Sequence, residues 1–286
     1  MIMKGATSFL RGIGFKNIRP AYFSWFFNFI FSIFVYWGFY KVFDLAAGNS
    51  VLAARGGDEI GLITFLSDIS RQSPGQLSLV FSIGLVAAFC YFCLSSFLAG
   101  GIYGTLVENE GTSFTNLFAM SIENFFDMVK MFFINLLHVV LVLILPVVLL
   151  GIFMANDSFT GSETALKVFY YSWIPLVVML LVIAGFIYDF SRIFKIKEAK
   201  SAVSAFKTGF KFVFSNKCNL LVIFLMYVLA LVILYLCNIL FVELTDSFLY
   251  PTLLFVAIQA FVWVRYYLKI VVIRAEVNLL GTETPA

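Results

Sequence analysis

The chain has 286 residues, of which 62% are hydrophobic, 19% aromatic and only 12% charged, with a net charge of +3. An average soluble domain carries about 25% charged residues. A mean hydropathy of +1.00 cannot come from one buried core: the surface is apolar too, so the solvent is lipid. The 36 Phe read as lipid-facing and interhelical filling, not as a recognition code. Cys90, Cys93, Cys218 and Cys237 fall within or beside apolar runs, which argues against a disulfide framework.

A helix needs about 20 apolar residues to cross a hydrocarbon core about 30 Å thick. Six segments reach that length: 21–43, 77–106, 129–155, 166–188, 218–242 and 248–268. None alternates like a strand, and each is too long for a barrel strand, so helices must satisfy the backbone. The fold class predicted is all-α: one polytopic membrane domain over 1–286 with six transmembrane helices and amphipathic interfacial helices.

The chain opens on TSFLRGIGFKNIR, 7–19, an amphipathic lead-in whose apolar residues are Phe9, Leu10 and Ile13, with Phe15 a further candidate. The first span follows. Its apolar run is long for a signal peptide and five more spans come after it, so it reads as a retained span. The outer loop 44–76 is the one sizeable polar piece, with a short helix expected over 60–69. It is too short to be a domain.

The second span contains Cys90 and Cys93 as CYFC. Mid-span, without the polar setting that thiolate chemistry requires, this spacing carries no redox or metal expectation. The span ends on AGGIYG, where Gly100 and Gly104 give a small-xxx-small pair and predict a close helix crossing. FTNLFAMSIENFFDMVK, 114–130, then leads into the third span with Leu117, Met120, Phe125 and Met128 near helical spacing. His138, the only histidine, sits near Asn135 in that span. One His has no second ligand of its kind, so an interhelical hydrogen bond is expected there and no metal site. Pro146 and Pro175, in the third and fourth spans, are candidate kinks.

YDFSR ends the fourth span, with Asp189 and Arg192 spaced i,i+3 to pair on a helix. Two readings stay open: an ion pair that ends the span, or the lining of a cytoplasmic cavity. Arg265, after Trp263 in the sixth span, reads as a snorkelling cation in an aromatic belt or as a partner of Asp189.

Between the fourth and fifth spans lies SAFKTGFKFVFSNK, 204–217. At 100° per residue Val203, Phe206, Phe210, Val213 and Phe214 share a face. Lys200, Lys207 and Lys211 cluster about 90° away. Ala205 and Gly209 lie opposite. Rings in the acyl boundary and ammonium groups at the phosphates describe a helix in the membrane interface. Lys200, Lys207, Lys211 and Lys217 are therefore the candidate lipid-headgroup contacts. Anionic lipids are the nearer partner for a basic segment between two spans, and nucleic acid is not expected. The layout suggests three repeats of lead-in helix plus helical hairpin, beginning near Ala6, Ser113 and Ser201.

Orientation follows from Lys and Arg. Lys4, Arg11, Lys16, Arg19, Lys130, Arg192, Lys195, Lys197, Lys200, Lys207, Lys211, Lys217, Arg265, Lys269 and Arg274 fall on one side. Lys41, Arg55, Arg71 and Lys167 fall on the other. Both termini are expected in the cytoplasm. No P-loop, G-x-S-x-G, H-E-x-x-H or paired intramembrane carboxylates occur, so neither an enzyme nor a cofactor is expected.

Two stretches together carry a resemblance: FLAGGIYGTL with GTSFTNLFAMSIENFFDMVKMFF, and YDFSRIFKIKEAKSAVSAFKTGFKFVFSN. They resemble a family of uncharacterised six-span bacterial inner-membrane proteins, over about a third of the chain. In that family a Gly-Gly pair ends the second helix, Asp-aromatic-x-Arg ends the fourth, and a short basic helix leads into the fifth. The chain is more loosely similar to the membrane region attached to some glycerophosphodiester phosphodiesterases, whose catalytic barrel has no counterpart here. The resemblance implies a topology and a bacterial inner-membrane setting, and no established activity. The expectation is a non-enzymatic accessory or scaffold protein that packs against a protein partner through Gly and aromatic faces and holds anionic lipid. The alternative is a transporter or lipid-handling protein with a polar cavity near Asp189, Arg192 and Arg265.

Overall fold

Long apolar runs leave the helix as the element that satisfies the backbone, and the computed structural model of the chain is built from helices. It describes residues 2–48, 74–108, 112–154, 163–198, 201–245 and 251–281. Among them the helices are α1 (Ile2–Gly12), α2 (Ile18–Gly48), α3 (Pro74–Val107), α4 (Phe114–Met154), α5 (Glu163–Glu198), α6 (Ala202–Ser215), α7 (Lys217–Thr245) and α8 (Pro251–Gly281), with a 3₁₀ turn at Phe15–Asn17 and no strand. Among the described residues six stretches are long and apolar enough to cross a membrane: Phe15–Gly38, Phe81–Val107, Phe114–Leu149, Tyr171–Glu198, Lys217–Cys237 and Phe255–Gly281. The protein is an all-α polytopic membrane protein. Most of the outer loop, including the helix expected over 60–69, lies outside the described residues.

The lead-ins differ from one another for a local reason. The first is set off by Gly12 and Gly14, the latter in extended conformation. The third, α6, starts on Ser201, whose Oγ accepts the Ser204 amide at 3.3 Å, and stops at Asn216, whose N–H donates to Phe212 O at 3.0 Å. Such a serine satisfies one of the orphan amides of the first turn. The second lead-in contains no Gly or Pro between 114 and 130, so it is not a separate helix. It runs on into the span as the 41-residue α4, about 60 Å at 1.5 Å per residue, twice the hydrocarbon thickness.

The chain divides into two compact units, Phe23–Ser95 and Met1–Tyr22 with Ser96–Ala286. In the smaller, aromatic rings fill the space between helices: Phe31 and Tyr91 lie 5.6 Å apart between centroids, and the Gly38 position approaches Ile83.

In the larger unit the interior collects at the end of the helices that carries most of the Lys and Arg, hereafter the basic end. Ile102, Tyr103, Leu117, Met128, Met131, Ile187, Phe190, Ile193, Ile270 and Leu279 are all buried there. Small residues set the approach of its helices. A Cβ at Gly101 of α3 would stand 2.3 Å from Ser121 Oγ and 2.5 Å from Leu117 O of α4. The AGGIYG motif therefore makes the close crossing expected of it, and makes it inside this protein. A Cβ at Gly5 of α1 would meet Asn219 O of α7 at 2.5 Å, and one at Gly12 would meet Val271 O of α8 at 2.7 Å. The N-terminal lead-in is thus part of the packed unit, with Ser8 and Phe9 buried and Leu10, Ile13 and Phe15 exposed.

Candidate functional site at the basic end

The basic helix α6 docks by its small residues. Ala205, Gly209 and Val213 are buried, and a Cβ at Gly209 would lie 2.5 Å from Ser191 Oγ of α5. Val213 therefore belongs to the packing face and not, as the helical wheel placed it, to the aromatic one. Phe206 also turns inward, its ring 5.0 Å from that of His138, and Phe212 lies 4.6 Å from Phe190. This leaves Val203, Phe210 (45% exposed) and Phe214 (52% exposed) on the outside. The Phe210 and Phe214 rings are 4.7 Å apart. Lys207, Lys211 and Lys217 are exposed as well. Lys200 lies outside the described residues.

Asp189 and Arg192 form the ion pair expected from their spacing, at 3.5 Å. They are one part of a larger cluster. Tyr103 of α3 donates its hydroxyl hydrogen to Asp189 Oδ1. The Arg192 guanidinium stacks 3.6 Å from the Tyr188 ring centroid and 5.3 Å from that of Tyr103, and it donates to the Tyr188 hydroxyl. A guanidinium between two ring faces is attracted by both quadrupoles, more strongly where water is excluded. Glu276 of α8 is fully buried, 0% exposed. It lies in electrostatic reach of Asp189, Lys269 and Arg192. Neither of its carboxylate oxygens has a hydrogen-bond partner among the described residues.

Arg265 does not join this cluster. It is exposed, in electrostatic reach of Tyr227, while Asp189 is taken up by Arg192 and Tyr103. Asp189, Arg192 and Arg265 thus do not converge on one point. His138 meets the Phe206 ring in place of the expected hydrogen bond, and its Nδ1 has no partner among the described residues. Among the same residues no three His, Cys, Asp or Glu side chains gather as metal ligands would. Cys90 and Cys93 are free thiols.

Several tethers at this end have no counterpart in the sequence reading. Lys195 of α5 pairs with Asp127 of α4 at 2.9 Å. The Gly5 amide donates to Asn219 Oδ1 at 3.3 Å, the Gly14 amide to the Tyr267 hydroxyl at 3.2 Å, and Arg274 to Asn17 Oδ1 at 3.0 Å. Each joins residues far apart in sequence, and no local pattern announces such a pair. Set against known protein families, curated proteins and solved structures, the chain matches none.

Proposed function

We propose that the protein is a non-enzymatic accessory or scaffold component of a bacterial inner membrane, with both termini in the cytoplasm, that gathers anionic lipid at its basic end and serves a protein partner there. One observation carries this reading. The small-residue face of α6 is used up against α5, which turns Phe210, Phe214, Lys207 and Lys211 outward together. Rings and ammonium groups on one exposed face suit the boundary between acyl chains and phosphates. The charge split across the spans supports the cytoplasmic placement. The glycines of AGGIYG no longer support partner binding, because α4 already occupies them; exposed aromatic faces remain for that role. The transporter alternative has less support. Arg192 is locked between two tyrosines, and Arg265 stands apart from it.

The test is lipid selectivity of the full chain reconstituted in vesicles of phosphatidylcholine and phosphatidylglycerol. Spin-labelled lipids report which headgroup contacts the protein. Wild type is expected to favour phosphatidylglycerol, less so at high salt. Lys200→Gln, Lys207→Gln and Lys211→Gln together are expected to remove most of the preference, at about fivefold per lysine near the surface. Unchanged selectivity in the triple variant would sink the reading.

A further inference from the structure

Beside α6 the packing leaves a cavity of about 560 Å³, within the span of roughly 300–1,000 Å³ usual for ligand sites. Val182 and Phe186 of α5 form one wall and Leu221 and Phe224 of α7 the other. Buried Val213 and Leu220 underlie it. Among the described residues Lys217 is the only charged one in its lining. We propose that this slot binds one acyl chain of an anionic phospholipid, with the Lys217 ammonium holding the headgroup phosphate.

Three features select that occupant. The walls offer no hydrogen-bonding set for a polar solute, which would lose its hydration without replacement. They suit a hydrocarbon chain already dissolved in the surrounding bilayer. The single cation is the first residue of α7, where the free amides of the first turn add partial positive charge. It directly follows α6, and from it the slot continues along the apolar run of α7, past Leu221 and Phe224. A zwitterionic lipid would offer Lys217 a phosphate already balanced by its own amine, and a neutral lipid nothing. The inference rests on the interfacial placement of α6 proposed above. It goes further in naming a stoichiometric site with its own walls, distinct from the surface attraction of the α6 lysines.

The experiment is native mass spectrometry of the full chain, released into mild detergent from vesicles of equal phosphatidylglycerol and phosphatidylcholine. Wild type is expected to keep one phosphatidylglycerol per chain. Leu221→Trp, which fills the slot, is expected to lose it. Lys217→Gln is expected to keep a lipid but to lower the preference for phosphatidylglycerol about fivefold. Lys207→Gln with Lys211→Gln is expected to leave the retained lipid in place, which separates the slot from the surface. Val182→Trp blocks the slot from the opposite wall and replaces Leu221→Trp should the latter fail to fold. Wild-type protein that retains no lipid, equal retention of both headgroups, or a folded slot-filled variant that still holds its lipid would overturn the proposal. The reading of α6 fails separately, by unchanged spin-label selectivity in its lysine variants.

Discussion

Two halves of one helix show what holds this protein together. In α5, Tyr171, Ile174, Val178 and Met179 are exposed, whereas Ile187, Phe190, Ile193 and Phe194 about fifteen residues on are buried. The side chains named are apolar in both halves. α4 and α8 repeat the contrast: Met128 and Met131 are buried but Leu137 and Leu141 exposed, and Ile270 and Leu279 are buried but Val256 and Ile258 exposed. Lipid tails are as apolar as leucine, so hydrophobicity alone gives the exposed halves no reason to associate. The basic end supplies other reasons: close helix approaches at glycine, a stacked guanidinium, and hydrogen bonds between distant helices.

The contrast can be broken or sharpened by mutation, read as unfolding of the purified chain in mild detergent. Among the polar contacts and close approaches of the basic end, the largest effect is expected at the stacked arginine. Arg192→Ala leaves the Asp189 carboxylate without its cation, and breaking a buried pair costs about 3–5 kcal/mol. The low end applies, because the Asp189 side chain keeps 27% of its exposure. Replacing both members with leucine is expected to recover much of the loss. Next comes Gly101→Val. The branched side chain enters space held by Ser121 Oγ and Leu117 O, and such overpacking costs about 1–3 kcal/mol.

A change of opposite sign is expected at Glu276. Its buried oxygens have no partner among the described residues, and a buried polar group without hydrogen bonds opposes folding. Glu276→Met removes both unpartnered oxygens at nearly constant volume and is expected to stabilise by about 1 kcal/mol, the scale of an unsatisfied buried polar group. A loss of stability would mean that Glu276 holds a partner of its own. The smallest effect belongs to the apolar half: Leu137→Ala is expected to stay within about 0.5 kcal/mol, as for exposed positions away from special features.

These particulars also explain what the sequence could disclose. The six spans were legible because hydropathy over about twenty residues is a local property. The Asp189–Arg192 pair was legible because i,i+3 spacing is local too. AGGIYG announced a close crossing but not that α4 makes it. Tyr103 hid inside that motif, and Glu276 lies beyond the expected end of the sixth span at 268. Ile270, Val271, Ile273 and Leu280, all buried, surround Glu276 with an apolar pattern that could have extended the helix. Arg274 and Asn17 meet across nearly the whole chain, and no window short enough to carry a periodicity contains both. The helical wheel of 203–214 recovered the exposed Val203, Phe210 and Phe214. It misassigned Val213, because ring content outweighed the small-residue stripe that packs on α5.

The central claim is that the basic end is the folded core and the apolar halves are solvated by lipid. Its most direct test is a pair of truncations along α5, measured by reversible unfolding of the reconstituted chain. Phe190→Ala, at a position 0% exposed, is expected to cost about 3–5 kcal/mol. Ile174→Ala, at a position 58% exposed, is expected to cost less than about 0.5 kcal/mol. Equal costs at the two positions would contradict the account, since they would mean that the apolar half packs as tightly against protein as the basic end does.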